Sequence, residues 1–156
     1  MTRRGGRAPI GQRLVASLPQ GHYQTSTLIA ALALRGPRAP WLFDGAMNGA
    51  MFLAWVRQGL VPRLAIGDLV IMDNLATHKM ADVRPIIETA GARLLYLPPY
   101  SPDFNPIENM WSKIKQSLRT AEPRTEAQLL AAARTAFDSV STTDCRGFFL
   151  HARYAI

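Results

Sequence analysis

Two carboxylates in this sequence, Asp73 and Glu108, stand where an acid can do chemistry. Asp73 directly follows Leu69–Met72, a continuous apolar run that is typical of a short strand buried on both faces. Catalytic and ligand-binding groups collect at the carboxyl ends of such strands, because the strand fixes their position while the loop exposes them. The alternative for Asp73 and its neighbour Asn74 is a purely structural turn or helix cap.

Glu108 also has both a structural and a chemical interpretation. Asn105 is a typical N-cap, Pro106 suits the first helical position, and Glu108 suits the capping-box position behind them. One side of the predicted helix carries Glu108, Ser112, Lys115 and Arg119. A carboxylate followed by two cations on one stripe can place a metal ion beside a phosphate backbone, although ordinary solvated helices show the same pattern.

The two acids must be positioned by the elements around them. The pattern before Asp73 predicts strands at Leu14–Leu18 and Thr25–Ala33, and a helix at Met47–Leu60 that Asn48 can cap. Between them, Trp41–Phe43 is a short apolar piece that Asp44-Gly45 ends. After Asp73 it predicts a helix at Met80–Ala90, a strand at Arg93–Leu97, and helices at Pro106–Arg119, Thr125–Val140 and from Thr143. Strands first, then strands alternating with helices, indicate an α/β fold with a mixed sheet flanked by helices in one domain, residues 1–156.

The charge of the chain favours a polyanionic partner. The formal net charge is +7 over 156 residues, and 48% of the residues are hydrophobic, as in an ordinary globular protein. The excess is concentrated in the first 43 residues, which contain no Asp or Glu and carry Arg3, Arg4, Arg7, Arg13, Arg35 and Arg38. These arginines can follow a nucleic-acid backbone.

Cysteine usage and hydropathy bear on the compartment. Cys145 is the single cysteine, so an internal disulfide is excluded and a cytoplasmic location is expected, with Cys145 as a small helix-packing residue. No apolar stretch approaches the roughly 20 residues that cross a bilayer, and the basic start is not followed by a signal-peptide pattern.

Two long motifs carry a family resemblance. IMDNLATHK and, later, LLYLPPYSPDFNPIENMWSKIK closely resemble the bacterial insertion-sequence transposases related to the mariner elements, within the DDE superfamily. That family pairs an aspartate after a hydrophobic strand with a glutamate in a Pro-Tyr-Ser-Pro motif, at the spacing seen here, where 34 residues separate Asp73 from Glu108. The similarity extends through RGGRAPIGQRL, LFDGAMNG and AGARLLYLPPYSP, and so covers most of the chain.

The resemblance implies a fold and a chemistry. It implies a ribonuclease H-like fold in which three acids, Asp73 and Glu108 among them, hold two divalent ions, Mg²⁺ or Mn²⁺. Two such ions activate a nucleophile and stabilise the leaving oxygen during in-line attack on a phosphodiester. The implied substrates are double-stranded transposon ends and target DNA, and the implied protein partners are a second copy or an intact transposase.

The chain departs from the family at its first acid. In the family this aspartate lies on the first strand, upstream of the segment matched by GRAPIGQRL, whereas this chain has no acid before Asp44. We therefore expect an N-terminally truncated domain that lacks its first strand, its first catalytic aspartate and the helix-turn-helix DNA-binding region, and that is inactive alone. Asp44 as a substitute third ligand is the alternative, beside a turn or helix-start role.

Other residues are assigned by their place near the two acids. Asn74, His78 and Asn105 are predicted to lie next to the site; for His78 a metal-site or DNA role stands beside that of a surface residue at a helix start. Predicted DNA contacts are Lys79, Tyr100, Lys115 and Arg119. Tyr100 and Ser101 are expected to shape the loop that presents Glu108, and Trp111 to be core rather than a base-stacking platform.

Three functions compete at this point. The first is a metal-dependent transposase fragment that cleaves and transfers DNA strands. The second is a non-catalytic DNA-binding or regulatory fragment that interferes with intact transposase by mixed dimerisation. The third is a cellular ribonuclease H-like nuclease.

Overall fold

Four strands form two pairs in the computed structural model, which describes residues 9–13 and 25–156. Strands β1 (Ser26–Ala33) and β2 (Gly36–Asp44) form an antiparallel hairpin, and β3 (Leu69–Met72) pairs in parallel with β4 (Arg93–Tyr96). Antiparallel and parallel pairs together give the mixed α/β architecture that the sequence predicts. The predicted strand at Leu14–Leu18 lies outside the described residues.

Five helices follow or connect the strands of the described part. They are α1 (Gly49–Trp55), α2 (Val83–Thr89), α3 (Ile107–Ala121), α4 (Glu126–Asp138) and α5 (Thr142–His151). Helix α1 continues through a π-helical turn, Val56–Leu60, and a 3₁₀ turn, Val61–Arg63; another 3₁₀ turn, Pro102–Phe104, precedes α3. Among the described residues, no helix is both long and apolar enough to span a membrane.

Most predicted elements are confirmed, with shifted ends. Asn48 caps α1 as expected, accepting a hydrogen bond from the Met51 amide at 2.9 Å. The short apolar piece Trp41–Phe43 lies near the end of the nine-residue β2, a strand that the pattern did not predict because Pro37 and Pro40 interrupt its start. Proline lacks the amide hydrogen that a ladder needs, but a strand paired along one edge tolerates it. Within the described residues β2 pairs only with β1, which explains the longer strand.

The β1–β2 hairpin separates two hydrophobic clusters. Ile29 and Ala31 of β1 pack on the first cluster, formed with α1, α2, β3 and β4. Ala30, between them in sequence, belongs to the second cluster, formed with α3, α4 and α5. Because successive side chains of a strand point to opposite faces, β1 has both of its faces covered.

The β3–β4 pair has one covered face, so the expectation that β3 is buried on both faces is wrong. Met72 and Leu94 are buried in the first cluster. On the opposite face, Leu69 is 48% exposed and Leu95 is 50% exposed. The apolar run correctly predicts that β3 is a strand. Burial of its second face would require helices or strands packed against Leu69 and Leu95, and the described residues provide none.

The carboxyl-terminal helices form the second cluster. Met110, Ile114 and Cys145 are fully buried there, and burial raises the pKa of the Cys145 thiol. Trp111 meets Phe137 edge-to-face at 5.9 Å between ring centroids. Cys145 and Trp111 therefore have the packing roles that the sequence predicts. This cluster holds α3, and with it Glu108, against the rest of the domain.

A charged clamp joins α3 to the start of α5. The Lys113 ammonium lies 2.6 Å from the Asp144 carboxylate, which also accepts hydrogen bonds from the Ser141 amide and hydroxyl. The bond from Lys113, followed by those from Ser141, lowers the pKa of Asp144 from 3.8 to about 2. A carboxyl whose folded pKa is depressed stabilises the fold above its unfolded pKa, and this contribution is lost as the pH falls from about 4 toward 2.

We expect Asp144→Asn to lower the free energy of unfolding at pH 7 by about 1 kcal/mol, because the pair is partly exposed to solvent. Urea unfolding should show this difference shrinking as the pH is lowered from 4 to 2. Asp82→Asn is the matched control, since Asp82 stands at the start of α2 and makes no capping hydrogen bond. An Asp144→Asn deficit that stays constant down to pH 2 would contradict the role of the clamp.

Candidate active site

Asp73 and Glu108 line the same open cleft, of about 230 Å³. Asp73 follows the last residue of β3, and Glu108 lies in the first turn of α3. The cleft is also lined by Asn74, Leu75, Leu97, Pro98, Tyr100, Ser101, Pro102 and Asn105. Residues separated by 34 positions in the chain are thus brought to one surface, as their predicted chemistry requires.

The parallel pairing of β3 and β4 explains this convergence. Met72 pairs with Tyr96, so both strands end at the same edge. The Leu97 amide then donates to the Met72 carbonyl at 2.8 Å, and the Asn74 side-chain amide donates to the Leu97 carbonyl. Asn74 therefore joins the two strand ends immediately below the cleft. Asn74 thus lies in the lining of the cleft, as predicted, and its side chain links β3 to β4.

We expect Asn74→Ala to destabilise the fold by about 1–3 kcal/mol, because the partly buried Leu97 carbonyl loses a partner. Thermal unfolding followed by circular dichroism measures the change. Asn105→Ala is the matched control: Asn105 lines the same cleft, and its side chain makes no hydrogen bond within the described residues. Equal losses in the two variants would show that Asn74 does not act as a brace.

Asp73 combines its turn role with a position in the cleft. Its Oδ1 accepts a hydrogen bond from the Leu75 amide at 3.0 Å, as the structural alternative predicts. The same Oδ1 lies 2.7 Å from Nδ1 of His78. The structural and chemical interpretations of Asp73 are therefore compatible, because the turn uses one carboxylate oxygen.

Glu108 is exposed and is not held in a capping box, so that part of the sequence interpretation is wrong. No side chain caps α3; the Glu108 amide donates to the Asn105 backbone carbonyl at 3.1 Å. Asn105 closes the preceding 3₁₀ turn, its amide donating to the Pro102 carbonyl at 2.9 Å. This geometry, set by Pro102 and Pro106, leaves the Glu108 carboxylate free of a cap and facing the cleft.

The predicted cations lie on the surface and outside the lining of the cleft. Lys115 and Arg119 are exposed on α3, on the side that carries Glu108, and Lys79 is exposed in the turn after β3. Tyr100, in contrast, lines the cleft and is fully exposed. Its φ of 55° is in the left-handed region, which costs a non-glycine residue of order 1 kcal/mol.

Asp44 is not brought to the two acids. It ends β2, opposite Ser26 at the hairpin end, and does not line the cleft. In residues 9–13 and 25–156, no group of three or more His, Cys, Asp and Glu side chains could hold a metal ion. The alternative that Asp44 supplies the third ligand is therefore not supported by this geometry.

Sequence reasoning missed two residues that contact His78, the neighbour of Asp73. Phe52 of α1 and Tyr96 of β4 both contact His78, Phe52 through its ring and Tyr96 through a hydroxyl bonded to the His78 carbonyl at 2.7 Å. Tyr96 is the last residue of β4, and because functional residues collect at the carboxyl ends of strands, its position was a signal in the sequence. Phe52 looked like any core residue of a helix, so the sequence carried no signal for its second role.

Comparison with known proteins identifies the fold and then the family. The chain superposes on the Mos1 strand transfer complex with a TM-score of 0.73 and 17% identity, covering 97% of this chain and 47% of that one. It superposes on the Mos1 mariner paired end complex with Mn with a TM-score of 0.71 and 16% identity, covering 97% and 49%. The fold is thus ribonuclease H-like, as predicted, and the chain spans about half the length of these structures.

The family follows from the sequence match. The model of the DDE superfamily endonucleases matches residues 1–130, and the chain therefore belongs to this family. The resemblance drawn from the Asp-Asn and Pro-Tyr-Ser-Pro motifs is confirmed. No curated protein matches the chain.

Proposed function

We propose that this chain is the catalytic-domain portion of a transposase that cleaves and joins double-stranded DNA with divalent metal ions. The observation that carries the proposal is the shared cleft of Asp73 and Glu108. Two carboxylates on one open surface suit phosphodiester chemistry that uses divalent metal ions.

The donor set of the cleft fits a hard divalent cation. Asp73 and Glu108 offer carboxylate oxygens, which Mg²⁺ and Mn²⁺ prefer, and the cleft has room for the waters that Mg²⁺ retains. Asp73 can bind through Oδ2, because Oδ1 faces the Leu75 amide and His78. Bound ions would polarise the phosphate and stabilise the leaving oxygen. The structure of the Mos1 mariner paired end complex is described as containing Mn, which supports the choice of metal.

A third carboxylate would complete the metal site, and a further polypeptide segment would supply it. Within the described residues β1 pairs only with β2, and β3 only with β4, which leaves an edge of β1 and an edge of β3 without a partner. Both strands pack on the same hydrophobic cluster. A strand that joined them would complete one sheet and would end beside Asp73. We propose that this strand carries the third acid and that the chain is inactive without it.

The DNA substrate would be held by contacts around the cleft. Tyr100 stands exposed at its rim, and Lys115 and Arg119 extend the surface along α3. With Lys79 and the net charge of +7, these residues would supply salt-dependent affinity for the phosphate backbone. A second copy or an intact transposase would be the protein partner, in the cytoplasm.

The test separates a catalytic domain from a DNA-binding fragment. Asp73→Asn and Glu108→Gln should each remove metal-dependent cleavage from the complemented protein while leaving salt-sensitive DNA binding intact. Cleavage that survives both changes would reject the proposed site. DNA binding by a complemented protein that never cleaves DNA would favour the regulatory fragment instead.

A further inference from the structure

His78 makes four contacts that bear on Asp73. Its Nδ1 lies 2.7 Å from Asp73 Oδ1, and its ring packs on Phe52 with 4.8 Å between centroids. Its backbone carbonyl accepts a hydrogen bond from the Tyr96 hydroxyl, and its backbone amide donates to the Leu75 carbonyl at 3.0 Å. A side chain fixed at both its ring and its backbone is a rigid support for whatever it touches.

The Nδ1 atom of His78 needs a partner. It is buried and makes no aligned hydrogen bond, although Asp73 Oδ1 lies 2.7 Å away. Buried polar atoms are almost always paired, and Asp73 Oδ1 is the oxygen at hydrogen-bonding distance. In an unliganded site such hydrogen bonds are often poorly aligned, and they tighten when the site is filled.

We propose that His78 is a positioning residue for Asp73, which it holds so that Oδ2 faces the cleft. This inference rests on the proposed function, because it assumes that Asp73 binds a divalent cation. Ligands that are oriented by a neighbouring hydrogen bond bind metals more tightly, since less rotational freedom is lost. The ring of His78 is in turn set by Phe52, which is 2% exposed and belongs to the core of α1. Helix α1 therefore influences the orientation of Asp73 indirectly, through the contact between Phe52 and His78.

The test measures Mn²⁺ affinity of the chain by electron paramagnetic resonance. We expect His78→Ala to weaken Mn²⁺ binding by about tenfold, the lower end of the range for residues behind a metal ligand. His78→Asn should restore most of the affinity, because its amide nitrogen stands near the place of Nδ1. His78→Gln should not, because its amide nitrogen stands near the place of Nε2.

Controls separate positioning from folding. His151→Ala, at the exposed end of α5, should leave Mn²⁺ affinity unchanged. Phe52→Leu should weaken binding by a smaller factor, and adding it to His78→Ala should produce little further loss, because the two residues act along one path. Thermal unfolding of each variant identifies any that fails to fold, and the comparison of His78→Asn with His78→Gln then decides between two folded proteins.

The outcomes distinguish two failures. A wild-type chain that binds no Mn²⁺ at the cleft, and that still binds none when the third acid is supplied, would reject the proposed function. A wild-type chain that binds Mn²⁺, with equal or tighter binding in His78→Ala or equal affinities in His78→Asn and His78→Gln, would overturn the positioning role alone.

Discussion

Asp73→Asn and Glu108→Gln should each weaken Mn²⁺ binding by the chain at least tenfold. With two carboxylates in the cleft we expect roughly millimolar affinity, since the affinity of oxygen sites for divalent ions rises with the number of charged ligands. Removing either charge leaves a single anionic ligand, and a tenfold change in affinity corresponds to about 1.4 kcal/mol. Both substitutions preserve size, so the fold should be retained.

Asp103→Asn is the matched control for this experiment. Asp103 lies in the 3₁₀ turn before α3, close in sequence to Glu108, but it does not line the cleft. The substitution removes one negative charge five residues before Glu108, in the turn that precedes α3. If Asp103→Asn weakened Mn²⁺ binding as much as Glu108→Gln does, the ion would be responding to general negative charge, and the two-acid site would be wrong.

Supplying the proposed third acid should have the largest effect on activity. The chain alone should not nick supercoiled plasmid above background in Mg²⁺ or Mn²⁺. Extending its reading frame into the upstream coding sequence, or adding that segment as a separate polypeptide, should raise cleavage by at least about 10³-fold, equivalent to about 4 kcal/mol of transition-state stabilisation. The physical reason is that two ions held by three acids stabilise both the attacking and the leaving oxygen.

The control for complementation is an upstream segment that keeps the proposed strand but lacks the carboxylate of its aspartate. The same upstream segment with its strand aspartate replaced by asparagine should stabilise the chain against unfolding, because the proposed strand would pair with the edges of β1 and β3 that have no partner within the described residues. It should not restore cleavage. Cleavage by the unextended chain, lost in Asp73→Asn, would instead show that the described acids suffice.

The class of fold was predictable from sequence, and the metal-binding role of Asp73 and Glu108 stays a prediction. Apolar runs with helical or strand spacing placed every described helix and the strands β1, β3 and β4, although several ends moved by a few residues. The error at β2 came from Pro37 and Pro40, which argue against a central strand but are tolerated when one edge is unpaired. The local pattern Asn105-Pro106-Ile107-Glu108 favours a capping box. It does not form, because Asn105 ends the preceding 3₁₀ turn and its backbone carbonyl, rather than its side chain, accepts the Glu108 amide.

The supporting residues of the site could not be predicted from local pattern. Phe52 has the spacing of an ordinary core residue, and only its packing beside His78 reveals a second contact. Asn74 follows an aspartate in a motif, but its bond to the Leu97 carbonyl depends on the pairing of two strands 20 residues apart. Local sequence records which conformations a segment favours, and it does not record which segments meet.

By itself, the sequence determined that this chain belongs with the DDE endonucleases and that Asp73 and Glu108 are its candidate metal ligands, because both are written in contiguous motifs. The tertiary structure decided the rest. It placed the two acids in one cleft, assigned one oxygen of Asp73 to the turn and to His78, and placed Asp44 at the end of β2, outside the lining of that cleft. These are relations between distant segments, set by strand register and core packing, and they exist only once the chain has folded.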